Sequence, residues 1–299
     1  TRRSSDLDFM NNNRNDECWC GSGLKYKKCH LEFDEKINFL RSKGKITPLK
    51  RMIKNAKQIE GIRKAAEINS GLLDLAEENI KEGMTTEEIN KMVHKYTIDH
   101  GAIPADLNYE GFPKSVCISI NDEVCHGIPS TDRILKDGDI VNVDATTNLN
   151  GYFADASRMF MIGNVSEENK KLVQVTKECL EKAISIIKPF ETTLGDIGAV
   201  IAEHAKNNHY TVVREFCGHG VGLAIHEDPT VLHYGKRGTG MVLVPGMVFT
   251  IEPMINAGDR KIFIDKKSGW IVKTKDGSYS AQWEHTLLVT NDGVEIISK

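Results

Sequence analysis

The sequence contains no run of 18 or more apolar residues, so no segment is long enough to cross a membrane as a helix. Its polar amino terminus also lacks the apolar stretch of a secretory signal peptide. The seven cysteines do not have the spacing of a disulfide framework, because three fall within twelve residues and four are scattered. These absences predict a cytoplasmic protein with no membrane partner.

Charge is unevenly distributed along the 299 residues. Residues 1–57 contain 14 Lys or Arg and seven Asp or Glu, whereas the remainder contains 25 and 35. A basic arm on an acidic body favours an anionic partner such as RNA. A tail that only keeps the protein in solution would have the same composition, so charge alone leaves both interpretations open.

Composition and periodicity divide the chain into four regions. We expect residues 1–17 to form a disordered tail, 18–32 a compact Cys/His motif, 33–49 a basic linker with a helix and a hinge, and 50–299 an α+β domain. In that domain the pattern of two helices followed by strands occurs twice, which indicates a duplicated half. Predicted helices span residues 57–82, 167–187 and 194–207, and another opens at the capping box of residues 85–88; predicted strands span residues 115–120, 140–147, 152–157, 248–252 and 284–290.

Two aspartates lie on a predicted hairpin whose turn is Asn150-Gly151. With a two-residue turn, Asp144 lies opposite Ser157, and Asp144 and Asp155 share one face as diagonal neighbours roughly 7–8 Å apart. A four-residue loop would place the two aspartates directly opposite each other. Carboxylates this close repel each other unless a cation lies between them. A solvent-exposed hairpin is the alternative, but the flanking apolar residues favour a buried one.

Three further side chains complete an oxygen-rich set with enough donors for two divalent ions. His219 lies in a glycine-rich run that matches neither a dinucleotide-binding nor a phosphate-binding loop, and a structural histidine is the alternative there. Glu252 and Glu284 each adjoin an apolar strand with no nearby Lys or Arg. A buried carboxylate is costly unless it is paired or bound to a metal.

Five segments resemble the bacterial type I methionine aminopeptidases in that family's order and spacing: GFPKSVCISINDEVCHGIP, DIVNVDATTNLNGYFADASRMF, CGHGVGLAIHEDPTVLHYG, GMVFTIEP and SAQWEHTLLVT. The resemblance covers about residues 50–299. It implies the pseudo-two-fold pita-bread fold and removal of the initiator methionine from nascent proteins. It also implies two divalent active-site ions, which the ligand types allow to be cobalt, manganese, iron or zinc.

The resemblance implies a role for each candidate metal ligand. Asp155 and Glu284 would bridge both ions, Asp144 would bind one, and His219 and Glu252 would complete the other. A hydroxide generated by the two ions would attack the first peptide bond. Glu252 would accept the proton of the attacking water and pass it to the leaving amine.

The resemblance also implies a substrate site. His126 and His226 would hydrogen-bond the substrate and stabilise the tetrahedral intermediate, and with Glu252 they form the implied catalytic set. The implied methionine pocket comprises Tyr109, Phe112, Cys117, Ile225 and Trp270, among which a flexible thioether would pack well. At the pocket mouth the sequence departs from the family, with Asp106 where relatives often have Cys and Glu110 where they often have His.

The amino-terminal motif has the spacing CxC-x8-CH, formed by Cys18, Cys20, Cys29 and His30. Four such ligands in thirteen residues suit one structural zinc, and the segment resembles the SEC-C motif of the bacterial secretion ATPase. The segment Lys25–Lys28 would add a basic face with an aromatic side chain, and we expect it to contact the ribosome through RNA or protein.

Two alternatives to methionine removal are a pita-bread peptidase that acts at Xaa-Pro bonds and a non-catalytic pita-bread protein that binds RNA or the ribosome. The GHGVG-x3-HEDP segment and the narrow apolar pocket argue against the first, and the complete ligand set argues against the second. We expect a monomeric metallo-aminopeptidase.

Overall fold

The structure, a computed structural model, describes residues 13–299, so residues 1–12, most of the expected disordered tail, lie outside the described part. Residues 13–30 form a small motif with a 3₁₀ turn at Tyr26–Lys28, and helix α1 (Leu31–Ser42) follows it. The carbonyls of Asp16 and Arg14 accept hydrogen bonds from the N–H groups of Tyr26 and Lys27. Residues 13–17 are therefore part of the motif, held by backbone hydrogen bonds that a polar composition does not reveal.

Helix α1 packs against the hydrophobic core of the domain. The sequence had suggested that residues 33–49 form only a basic linker with a helix and a hinge. Ile37 is fully buried against the core of the catalytic domain. The Phe33 ring packs edge-on against Phe190, with 5.7 Å between ring centroids. Beyond the helix, the carbonyl of Ile46 accepts a hydrogen bond from the N–H of Val242. The segment contains the expected helix, but that helix fastens the amino-terminal motif to the domain.

The first half of the domain has two helices packed on an antiparallel sheet. Its elements are α2 (Ala56–Asn79), α3 (Thr86–Asp99), β1 (Ile103–Pro104), β2 (Cys117–Ile120), β3 (Glu123–Cys125), β4 (Ile140–Leu149) and β5 (Tyr152–Met161). Capping boxes at Asn55 and Thr85 begin the two helices. The sheet has the order β1-β4-β2, with β5 paired to β4, and the buried faces of α2 and α3 cover it.

The second half repeats this arrangement. Its elements are α4 (Glu167–Ser185), α5 (Leu194–Asn207), β6 (Thr211–Val212), β7 (Gly218–Gly220), β8 (Glu227–Val231), β9 (Val248–Ile251), β10 (Met254–Asn256), β11 (Ile262–Ile264), β12 (Val272–Thr274), β13 (Ser280–Gln282), β14 (His285–Val289) and β15 (Val294–Ser298). The main sheet has the order β15-β14-β9-β7-β8, and short sheets β13-β10-β6 and β11-β12-β3 flank it. Helices α4 and α5 pack with β9 and β14 in one core. The duplicated α+β pattern, which the resemblance to the pita-bread fold also implies, is confirmed. Within residues 13–299, none of the helices combines the length and the apolar character needed to cross a membrane.

The predicted hairpin is present with the predicted register. Leu149 pairs with Tyr152 and Asp144 pairs with Ser157 along β4 and β5, so the two-residue turn is confirmed and the four-residue alternative is wrong. Asn150 and Gly151 have φ values of 54° and 84°. A type I′ turn requires such positive values at both central positions.

The two halves meet where β5 lies beside the start of β14. Ser157 and Glu284 exchange backbone hydrogen bonds, with N–O distances of 3.3 and 3.1 Å. Thr286 Oγ1 donates to the carbonyl of Asp155 at 2.6 Å and accepts from the N–H of the same residue at 3.1 Å. This seam places acidic residues of both halves side by side.

A buried carboxylate organises the amino-terminal motif. Asp34 in α1 is fully buried, and its Oδ2 accepts hydrogen bonds from the Tyr26 hydroxyl at 2.6 Å and from the Trp19 indole N–H at 3.0 Å. Both donors belong to the motif, so this one side chain joins the motif to the helix.

We predict that Asp34→Ala loosens residues 13–42 while residues 50–299 stay folded. The substitution removes the acceptor that the buried Tyr26 hydroxyl and the half-buried Trp19 indole N–H share, and loss of a buried hydrogen bond of this kind costs about 1–3 kcal/mol. Limited proteolysis should show faster cleavage within residues 13–42. Glu32→Ala is the control, because Glu32 is exposed in the same turn and pairs only at the surface with Lys36. Equal cleavage in the two variants would contradict the assignment.

Candidate metal centre and substrate pocket

The structure gathers every residue that the sequence suggests for the active-site metals and the substrate around one cavity of about 670 Å³. These residues are Tyr109, Phe112, Cys117, His126, Asp144, Asp155, His219, Ile225, His226, Glu252, Trp270 and Glu284. They come from both halves of the domain, so the cavity lies at the seam between them.

The hairpin supplies two of the carboxylates. Asp144 is in β4, and Asp155 pairs with Thr146 across the hairpin, which puts both carboxylates on the same face. Asp155 is 5% exposed, and its Oδ1 is buried without a hydrogen-bond partner among the described residues. The predicted diagonal arrangement is therefore present, on the buried face of the hairpin.

The second half supplies His219 and Glu252, and the hydroxyl of Thr250 forms a hydrogen bond with each of them. Thr250 Oγ1 donates to Glu252 Oε1 at 2.8 Å and accepts from the N–H of His219 at 3.1 Å. His219 Nδ1 lies 3.0 Å from the carbonyl of Gly220, which fixes this nitrogen as the donor. Its Nε2 is then the acceptor nitrogen, and it lies 3.5 Å from Glu252 Oε1 and 3.7 Å from Asp155 Oδ2.

Glu284 lies at the seam between the two halves and completes the set of candidate metal ligands. The register of β9 and β14 pairs Ile251 with His285, so one residue further along Glu284 lies opposite Glu252. Glu284 is 1% exposed, and its Oε1 is buried with no partner among the described residues. Asp155, His219 and Glu284 each offer a ligand atom, and these atoms lie within 4.8 Å of one another.

The electrostatics of the cavity favour bound cations. Burial raises the pKa of Asp155 to about 6 and that of Glu252 to about 8, and it raises the pKa values of Asp144 and Glu284 well above their usual range. Repulsion from Asp155 raises the last three further. No Lys or Arg is found among the described residues that line the cavity. The orphaned oxygens and this donor set fit two divalent cations, which would remove the repulsion.

Two further histidines border the metal side of the cavity. His226 Nδ1 is 2.8 Å from the Tyr109 hydroxyl, and its ring lies edge-on to His219 with 4.3 Å between centroids. His126 has a φ of 57° and packs edge-on against Phe216 at 5.3 Å. Burial lowers the pKa of His126 to about 4, so it is neutral near pH 7.

The apolar end of the cavity holds the predicted pocket residues. Trp270 packs edge-on against Phe112 at 5.3 Å, and Cys117 and Ile225 are buried beside them. These lining residues suit an apolar side chain.

The two positions that depart from the family also line this cavity. Asp106 accepts a hydrogen bond from the N–H of Thr146 at 2.9 Å, and burial together with nearby Asp155 raises the pKa of Asp106 to about 8. Glu110 is exposed at the cavity mouth in a left-handed conformation, with a φ of 48°.

Sequence reasoning missed the side chains that hold Glu252. Gln282 Nε2 donates to Glu252 Oε2 at 3.2 Å, and Thr250 holds the other oxygen. Each lies two residues before a candidate ligand, on the same face of an extended segment. The alternation of strand side chains was therefore the signal that could have found them.

The amino-terminal motif forms a separate cluster. Cys18, Cys20, Cys29 and His30 offer ligand atoms within 4.8 Å of one another, and all three cysteines are free thiols. His30 Nδ1 lies 3.2 Å from Cys18 Sγ and 3.1 Å from Cys29 Sγ. A set of three sulfurs and one imidazole nitrogen in this space fits one tetrahedral metal ion.

Both parts of the chain, the amino-terminal motif and the α+β domain, match known protein families. Metallopeptidase family M24 matches residues 60–291, and the SEC-C motif matches residues 14–32. The structure of methionine aminopeptidase from Thermotoga maritima is 39% identical with a TM-score of 0.81, and the match covers 83% of this chain and 98% of that one. The prolidase from Pyrococcus furiosus is 28% identical with a TM-score of 0.65, and 66% of its chain is covered.

A curated relative is more similar in sequence than either of these two solved structures. Methionine aminopeptidase from Rickettsia prowazekii (strain Madrid E) is 47% identical over 237 residues, which span 79% of this chain and 91% of the relative. The chain therefore belongs to metallopeptidase family M24, among the methionine aminopeptidases.

Proposed function

We propose that this chain removes the initiator methionine from newly made polypeptides. The strongest support is the convergence of four carboxylates and His219 on one cavity that also has an apolar end. Every group the proposal needs comes from one chain, so it requires only a monomer. Initiator methionine is removed where polypeptides are made, which makes the cytoplasm the expected compartment.

Two divalent cations bound in the cavity would supply the Lewis acidity for peptide hydrolysis. Asp155 and Glu284 would help to hold both ions, Asp144 would help to hold one, and His219 with Glu252 would help to hold the other. Mn²⁺, Fe²⁺, Co²⁺ and Zn²⁺ all accept such a set.

Glu252 is the proposed proton carrier. Thr250 and Gln282 each hold one of its oxygens, so the carboxylate has a fixed orientation at the edge of the cluster. In this role it accepts a proton from the attacking water and gives it to the nitrogen of the leaving amine. The attack opens the first peptide bond, and the free amino group beside the cations limits cleavage to the chain end.

The two histidines are proposed to bind the substrate carbonyl. With the Tyr109 hydroxyl donating to Nδ1 of His226, the Nε2–H of that ring can donate to the substrate. Burial lowers the pKa values of both His126 and His226, so each ring is neutral beside the cations. A neutral donor aimed at the developing oxyanion stabilises the tetrahedral intermediate without repelling the metals.

Methionine specificity is assigned to Tyr109, Phe112, Cys117, Ile225 and Trp270. The rings of Phe112 and Trp270 would contact the thioether, a favourable pairing for sulfur. The prolidase likeness is weaker and leaves a third of that chain uncovered, which favours methionine removal over cleavage at Xaa-Pro bonds.

The amino-terminal motif is proposed to hold one structural zinc and to contact the ribosome. Lys25, Lys27 and Lys28 are exposed on its surface. Tyr26, the aromatic residue expected on that face, does not lie on it, because its side chain is 2% exposed and its hydroxyl donates a hydrogen bond to Asp34. The three exposed lysines remain, with Glu17 beside Lys25, and phosphate groups of RNA are the partner that these lysines suit best.

The proposed reaction predicts cleavage of Met-Ala-Ser and no cleavage of Ala-Pro peptides. Protein stripped with a chelator and reloaded with Mn²⁺, Fe²⁺, Co²⁺ or Zn²⁺ should release methionine from the first peptide. Acetylated Met-Ala-Ser is the control and should resist, because its amino group is blocked. Preference for Ala-Pro, or no release with any of these metals, would contradict the proposal.

Glu252→Gln should lower kcat for Met-Ala-Ser by about 10²–10⁴-fold, the usual contribution of a positioned acid–base group. Metal content is measured on the same sample, since Glu252 is also a proposed ligand. Asp74→Asn is the control, because Asp74 is an exposed carboxylate that pairs with Arg158 outside the cavity. A Glu252→Gln enzyme with kcat near that of the control would exclude the proton-carrier role.

Replacing Lys25, Lys27 and Lys28 with Gln should weaken ribosome co-sedimentation roughly tenfold and reduce its salt dependence, because fewer counterions are released. Met-Ala-Ser cleavage should not change. The matched control replaces Lys64, Lys91 and Lys170, which are exposed on the catalytic domain. If both triple variants co-sediment equally well, the basic face is not the contact. Substitution is a cleaner test than truncation, since removing α1 would uncover the apolar core.

A further inference from the structure

The loop that carries His226 is closed by a single carboxylate. In the His226 loop (residues 221–227), Glu227 Oε1 accepts hydrogen bonds from the N–H groups of Leu223 at 2.5 Å and Ala224 at 3.1 Å. His226 directly precedes this glutamate. The segment is therefore a tight loop.

Lys54 binds the other oxygen of the same carboxylate. Its Nζ forms an ion pair with Glu227 Oε2, and the side chains of Lys54 and Glu227 are 1% and 17% exposed. The N–H of Lys54 donates to the carbonyl of Gly246 at 2.8 Å, and the capping box at Asn55 begins directly after it. The cation is thus held on a rigid support, the condition under which a buried ion pair stabilises a structure.

The loop has little room to shift. A Cβ on Gly222 would lie 2.5 Å from Ile62 Cδ1 and 3.5 Å from Lys54 Cε, and the φ of Gly222 is 133°. The carbonyl of Gly222 accepts a hydrogen bond from the N–H of Phe153 at 2.9 Å. The loop is therefore packed between α2 and β5, the strand that carries Asp155.

We propose that Lys54 is a positioning residue for peptide cleavage: through Glu227 it holds the His226 loop so that the His226 ring faces the substrate carbonyl. The inference rests on the proposed function of the cavity. Among the described residues Lys54 is not part of the cavity lining, whereas Glu227 and His226 are. Lys54 therefore acts on the reaction only through the loop.

Lys54→Met tests the role by removing the charge and keeping the length of the side chain. We expect kcat/KM for Met-Ala-Ser to fall about tenfold or more, mainly through kcat, because about an ångström of misplacement can cost about 100-fold. Metal content should stay unchanged, since the candidate ligands lie on other elements. Arg63→Met is the control, because it removes an exposed α2 ion pair with Glu295. Lys54→Met activity equal to that of this control would overturn the proposal.

A double-mutant cycle separates positioning from general stability. In a His226→Ala background, adding Lys54→Met should lower kcat/KM by a further factor of less than about two, because the group that Lys54 positions is already absent. The same fold-loss in both backgrounds would show that Lys54 acts elsewhere. If the Lys54→Met protein does not fold, Lys54→Gln takes its place in the cycle, because glutamine can still donate one hydrogen bond to Glu227.

Hydrogen exchange gives a readout that does not depend on activity. Lys54→Met should speed exchange at the amides of the His226 loop at least about tenfold, while β14 keeps its protection. If the wild type does not cleave Met-Ala-Ser, the proposed function fails but local exchange still shows whether Lys54 holds the loop. Unchanged exchange in the loop, or acceleration throughout the domain, would refute the positioning role.

Discussion

The burial of four carboxyl groups around one cavity is the constraint on which the rest of the structure depends. Asp144, Asp155, Glu252 and Glu284 repel one another, and each loses hydration by being buried. The protein offers no Lys or Arg among the described lining residues to offset this cost, so bound protons or bound cations must offset it. The backbone must hold the carboxylates together against their repulsion, which explains why they lie on or directly beside paired strands.

Local geometry made half of this site predictable from the sequence. The Asn150-Gly151 turn fixes the register of β4 and β5, and the register alone puts Asp144 and Asp155 on one face. The helices were also predictable, because capping residues and apolar periodicity are local signals. The meeting of the two halves was not. Ser157 and Glu284 lie far apart in the chain, and contacts across the seam, such as the one between them, join the hairpin to the glutamates.

Other features were missed because tertiary contacts outweighed composition. Tyr26 stands between lysines in the sequence, yet the buried Asp34 draws its hydroxyl inward. Residues 33–49 are basic on average, yet the few apolar side chains of α1 are enough to pack one face of the helix against the core. Strands of three residues such as β7 and β10 carry too little alternation to be recognised. They nevertheless matter, because β7 carries His219 and β10 begins two residues after Glu252.

The site has two kinds of support, and they suit two different tasks. The metal side is held by backbone ladders, which keep ligand positions fixed whether or not substrate is present. The substrate side depends on the His226 loop, which is held by side chains: Glu227 closes it, Lys54 pairs with Glu227, and Tyr109 bonds His226. A single substitution can remove a side-chain contact, whereas a strand ladder consists of many backbone hydrogen bonds. The candidate metal ligands therefore rest on the register of whole strands, and the position of the His226 ring rests on a few individual side chains.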